Sequence, residues 1–146
     1  MAKLKDLDID SIAELGLMFL NGDEFENVLL DKYGHVDYDF DKFNHCKKVL
    51  MKLERVNKAA KIKAYLWQRR PDNPGMRVPL VAGSILPSEG TGMFPIDGAT
   101  DRAFAGESGT TADKTNGLKA WYYPVKNSDG EIVGILELTC EGEVIS

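Results

Sequence analysis

Gly117–Thr139 reads GLKAWYYPVKNSDGEIVGILELT. An aromatic-rich run and a Val/Ile/Leu-rich run flank the polar stretch Asn127-Ser128-Asp129-Gly130. Such a stretch between two apolar runs is a strong local hairpin signal, because Asn, Asp and Gly tolerate the left-handed backbone that tight turns need. Two antiparallel strands with a buried face are therefore predicted here. Leu118, Ala120 and Tyr122 share one face of the first strand, and Lys119, Trp121 and Tyr123 share the other, since successive side chains alternate. Alternation leaves open which of the two lies under the rest of the chain.

Upstream, KIKAYLWQRR at 61–70 and MRVPLVAGS at 76–84 read as a second hairpin around Pro71-Asp72-Asn73-Pro74-Gly75. Pro79 donates no ladder hydrogen bond, which predicts an edge position or a bulge. Residues 85–116 are rich in Gly, Ser, Thr, Asp and Pro and too long for plain loop in a compact domain. A short strand at Met93–Ile96 and a short helix at Thr100–Ala105, closed by Gly106, are predicted inside this crossover. GESGTTADKTNG, from Gly106 on, is expected to be mobile.

The N-terminal third reads as helices. Residues 8–21 carry Ile9, Ile12, Leu15, Phe19 and Leu20 at helical spacing, with Asp8 or Asp10 as cap and Asn21-Gly22 as stop. A second helix runs from Asp23 toward Gly34. A third opens near Asp39 or Asp41 and places Phe43, Cys46, Val49, Leu50, Leu53, Val56 and Ala60 on one face. Helices followed by hairpins predict an α+β fold with an antiparallel sheet of five or six strands. The helices should cover one sheet face and the loop-rich crossover the other, roofing a pocket. Residues 1–38 are read as a helical extension and 39–146 as the domain proper.

The 146 residues carry a net charge of −5, which argues against a nucleic-acid partner, despite the basic cluster around Lys47, Lys48, Lys52 and Arg55. The charged N-terminus lacks an apolar signal core, and no window approaches a membrane span. Cys46 and Cys140 are the only cysteines and lie in apolar patterns, without metal-ligand spacing. A cytoplasmic protein with no membrane partner is expected.

No catalytic or metal motif emerges. Asp37, Asp39 and Asp41 resemble the start of a calcium loop, but Lys42 and Lys48 stand where the sharp-turn glycine and the bidentate glutamate belong. GESGTTADKT lacks phosphate-loop spacing. His35 and His45 are the only histidines; adjacent helical positions diverge by about 100°, so His45 cannot readily activate Cys46.

The order of segments resembles GAF domains over roughly residues 40–140. YYPVKNSDGEIVGILELT resembles their final hairpin, FPIDGATDRAFAGESG their middle segment, and KIKAYLWQRR-PDNPG-MRVPLVAGS their first hairpin. The related PAS and cache sensor domains share the closing pattern. The resemblance implies a six-stranded antiparallel sheet, a loop-covered cavity and a sensory or regulatory role in signal transduction, non-catalytic and often homodimeric. It departs from the family where the sequence stops just past the last strand, at the place of the usual C-terminal helix; the output of a sensor is then expected to be a separate protein or its own assembly. The alternatives are a PAS- or cache-type sensor domain, or a thiol redox enzyme on the GAF scaffold, like the methionine sulfoxide reductases, although neither cysteine matches that family's. An unidentified small-molecule ligand is expected, and no cofactor. The aromatic residues and the crossover supply the candidate ligand-binding set: Tyr65, Trp67, Phe94, Ile96, Asp97, Arg102, Phe104, Trp121 and Tyr123. Arg102 would suit an anion.

Overall fold

The computed structural model describes residues 9–27, 40–56, 61–70, 73–84, 94–114 and 117–141. Three helices come first: α1 (Ile9–Phe19), α2 (Gly22–Asn27) and α3 (Phe40–Val56). Strands β1 (Lys63–Arg69), β2 (Met76–Ala82) and β3 (Phe94–Pro95) follow, then α4 (Gly98–Phe104). Strands β4 (Thr110–Asp113), β5 (Leu118–Lys126) and β6 (Ile132–Glu141) complete one six-stranded sheet in the order β3-β2-β1-β6-β5-β4. Every neighbouring pair is antiparallel. The α+β class and the six-stranded antiparallel sheet are as expected.

The closing hairpin forms where the sequence places it, with Trp121 opposite Leu138 and Tyr123 opposite Leu136. Its turn is held by Asn127, whose Oδ1 accepts from the amides of Asp129 and Glu131, both at 3.0 Å. Gly130 supplies the left-handed residue, with φ at 80°. β6 lies between β1 and β5 and is buried on both faces from Gly134 to Cys140, which explains its nearly unbroken apolar run. The register of β2 against β1 slips between Leu66 and Trp67, opposite Pro79, so the proline sits at an irregularity as its missing donor requires.

Two cores form on the two sheet faces. Under α1–α3, Ile12, Phe25, Leu50 and Leu53 pack against Leu66, Trp121, Tyr123, Leu136 and Leu138. The first two helices thus share one core with the third. Asn21 Oδ1 accepts from the amides of Asp23 and Glu24, capping α2. On α3, Lys47 Nζ donates to the Ala82 carbonyl at 3.0 Å, and Glu54 Oε2 accepts from the Ala64 amide at 2.9 Å, fixing this helix to β1 and β2. Across the sheet, Ala99 and Ala103 of α4 pack on Trp67, Ala120, Tyr122 and Ile135. Helices on one face and the crossover on the other is the arrangement found.

One expectation is corrected. The stretch from Gly106 expected to be mobile contains edge strand β4, with Thr110 opposite Tyr122 and Ala112 opposite Ala120. Its polar composition hides two β-branched threonines whose backbone completes the sheet, and Thr110 Oγ1 donates to the Ala99 carbonyl at 2.7 Å. The Asp37 and Asp39 pattern, His35, the reach of the second helix beyond residue 27 and that of the third beyond 56 lie outside the described residues. Among the described residues, no helix is long and apolar enough to cross a membrane.

Cys46 and Cys140 are both buried in the helix-side core. Burial, with Glu24 nearby, pushes the Cys46 thiol up from 9.0 to about 12. The unfolded chain then releases this proton at lower pH than the folded chain, so stability falls as pH rises above 9. The Cys46 contribution to the loss between pH 8 and pH 10 is expected to be about 1.4 kcal/mol. Urea unfolding of the wild type and of Cys46→Ala at both pH values checks it: the variant should lose less by that amount.

Candidate functional site

The face beneath α4 holds an arrangement that an apolar core does not need. β2 points Arg77 inward, β1 Trp67, β5 Tyr122 and β6 Glu137; relative exposures are 7% for Arg77, 2% for Trp67 and 1% for Glu137. The Arg77 guanidinium carbon sits 3.8 Å from the Trp67 ring centroid, with Phe94 at 5.6 Å and Tyr122 at 5.8 Å. Phe94 stands edge-on to Trp67, centroids 5.1 Å apart at 88°. A desolvated cation on an aromatic face contributes about 2 kcal/mol, which partly offsets the burial of the charge.

Glu137 is the counter-charge. Its Oε2 accepts from Thr139 Oγ1 at 2.8 Å and lies 3.3 Å from Nζ of Lys114, the residue just past edge strand β4. Its Oε1 lies 3.7 Å from Arg77 Nη1, close enough for attraction and too far for a hydrogen bond. Arg77 Nη1, Glu137 Oε1 and Trp67 Nε1 are all buried without a hydrogen-bond partner. Each unsatisfied buried group costs about 1–3 kcal/mol, so three within one cluster ask for a reason.

Electrostatics follow the burial. Desolvation lowers the Arg77 guanidinium, opposed by Tyr122, Glu137 and Asp97. Burial, then Glu137, raises the Tyr122 phenol; burial, then Glu137 and Glu54, raises that of Tyr65. Both phenols stay protonated near neutrality.

Of the residues expected to line a site, Tyr65, Trp67, Phe94 and Phe104 come together on this face. Asp97 is exposed at the start of α4; its amide donates to Thr100 Oγ1 at 3.0 Å. The Ile96 amide donates to the Gly75 carbonyl at 2.9 Å. Arg102 is exposed and paired with Glu107 at 3.0 Å. Trp121 and Tyr123 are placed elsewhere: alternation turns both into the helix-side core, where Tyr123 Oη donates to Asp10 Oδ1 at 2.7 Å. Ala120 and Tyr122 are the β5 residues that meet α4. Sequence reading missed Arg77, Lys114 and Glu137. The available signal was a charged residue at an inward position of an otherwise apolar strand, Glu137 in GILELTC and Arg77 in MRVPLVA.

Two hollows among the described residues lie elsewhere. A cleft of about 380 Å³ beside Glu54, Lys61 and Lys63 is bounded by a carboxylate already used by Ala64 and, at 2.8 Å, by Ser84. A groove of about 210 Å³ between α1 and α3 is lined by apolar residues such as Leu15, Val49 and Leu53, together with His45, Lys48 and Lys52.

No family model matches the sequence, and no curated protein resembles it in sequence. The chain is similar to a solved structure described as a GAF domain, at 11% identity and a TM-score of 0.49 over 96% of this chain and 78% of that one. It is also similar to the nlh2 GAF domain of A. aeolicus in an inactive state, at 17% identity and a TM-score of 0.46 over 88% and 81%.

Proposed function

We propose that this chain is a regulatory domain of GAF type that holds a small molecule against the sheet face beneath α4, and that its output is binding, not chemistry. The observation that carries the proposal is the set of three buried polar atoms without hydrogen bonds on Trp67, Arg77 and Glu137. A structural core would pair them or replace them with apolar groups; a ligand that completes their hydrogen bonds gives the cost a purpose. The aromatic rings of Trp67, Phe94 and Tyr122 supply apolar contact around them. The thiol-enzyme alternative is disfavoured by Cys46, whose raised pKa is the reverse of what a nucleophilic thiolate needs.

A thermal-shift screen of small polar metabolites tests the binding. A compound at 100 times its dissociation constant should add about 2.7 kcal/mol, roughly 5–10 °C for a chain of this size. Trp67→Phe and Glu137→Gln should each shrink that shift. A screen that finds no stabilising compound, or only compounds indifferent to both variants, rejects the proposal.

A further inference from the structure

On the reading that this face holds a small molecule, we infer that the ligand is uncharged and presents a carbonyl oxygen beside an N–H donor, as the edge of a carboxamide, lactam or ureide does. Trp67 Nε1 and Arg77 Nη1 are donors and Glu137 Oε1 is an acceptor, none of the three atoms with a hydrogen-bond partner, although Arg77 and Glu137 attract each other as an ion pair and the Tyr122 hydroxyl stands beside both. A ligand that only accepts leaves Glu137 Oε1 orphaned. One that only donates leaves the indole and the guanidinium orphaned. Both functions are needed, and close together, because Arg77 Nη1 and Glu137 Oε1 are 3.7 Å apart. In an amide edge the oxygen and the N–H lie side by side, so one group can accept from the Arg77 side and donate to the Glu137 side.

Charge then selects among molecules with both functions. Glu137 already faces two cations, Arg77 and Lys114. A carboxylate ligand would bring a second anion against Oε1, and an ammonium a third cation beside Arg77 and Lys114; both meet like charge at short range. A zwitterion avoids this but must strip two ions of water at residues that are nine-tenths buried. A neutral amide completes the same hydrogen bonds with the least desolvation, and its flat plane suits the rings of Phe94 and Tyr122.

The indole N–H of Trp67 reports directly. The chain has two tryptophans, so Trp121→Phe leaves a single indole signal in a ¹⁵N–¹H spectrum; should that variant fail to fold, Trp67→Phe in the otherwise native chain identifies the signal by its loss. Benzamide, benzoate, benzylamine and phenylglycine carry one ring and four head groups: neutral amide, anion, cation and zwitterion. Benzamide is expected to move the Trp67 signal downfield in a saturable way, and the other three to move it less. A charged or zwitterionic arm that matches or exceeds benzamide overturns the ligand class while leaving the site in place. So does silence from all four when a stabilising compound from the metabolite screen moves the signal. If no compound that stabilises the chain moves it, the site falls as well.

Discussion

Glu137→Ala is expected to lower the unfolding free energy by about 3–5 kcal/mol, the usual cost of leaving one partner of a buried ion pair alone. Arg77 would keep its place on Trp67, 7% exposed, with the Glu137 counter-charge gone and Lys114 no longer compensated. Against a typical total of about 5–15 kcal/mol, the loss is large. The companion variant decides what the pair is for. Arg77→Met with Glu137→Leu removes both charges and fills similar volume, so stability should return to within about 1–2 kcal/mol of wild type, or exceed it. Urea unfolding of Arg77→Met, Glu137→Leu and the double variant closes the cycle. A double variant as unstable as Glu137→Ala would show that the pair is structural cement, and would remove the main support for a binding role. A stable double variant that responds to no ligand is the outcome the binding proposal requires.

The second large effect is expected at Gly134, on the opposite face of the same strand. A Cβ there would meet the Phe25 ring and the Trp67 carbonyl oxygen. Phe25 is fully buried, and its own carbonyl accepts from Gln68 Nε2 at 3.0 Å, so α2 is pinned to the sheet at this point. Neither the ladder carbonyl nor the ring can retreat. Gly134→Ala should therefore destabilise by about 3 kcal/mol, at the upper end of ordinary overpacking costs. Gly16 of α1 is the internal control. A Cβ there meets only the Leu53 side chain, at 2.5 Å from Cδ1, which can rotate, and alanine gains about 1 kcal/mol of helix propensity. Chemical denaturation of both variants should separate them by 2 kcal/mol or more. Equal effects would mean that α2 is not seated on β6 as described.

Glu137 and Gly134 also show where sequence reading stopped. The β5–β6 hairpin was legible because its signal is local: Asn127 and Gly130 set the turn, and the runs beside it pair without help from elsewhere. The long helix was legible because the spacing of Leu50 and Leu53 reports a buried stripe. The candidate site was legible only in part. Tyr65, Trp67, Phe94 and Phe104 come together as expected, but Trp121 and Tyr123 offer the same ring chemistry on the other side of the pleat, which turns them to the helices. Edge strand β4 was missed because four residues, TTAD, carry too little pattern to stand out from polar loop.

By itself, then, the sequence determined the class of fold, the closing hairpin and the amphipathic face of α3, because each depends on spacings of a few residues. Only the tertiary structure decided which face of β5 looks at α4. It also brought Arg77 of β2, Glu137 of β6 and Lys114 just past β4 to one place. The physical reason is that a charge inside a strand reads as solvent-facing until a strand across the sheet supplies its partner. That pairing belongs to the order of strands, with β1 between β2 and β6, and not to any one segment.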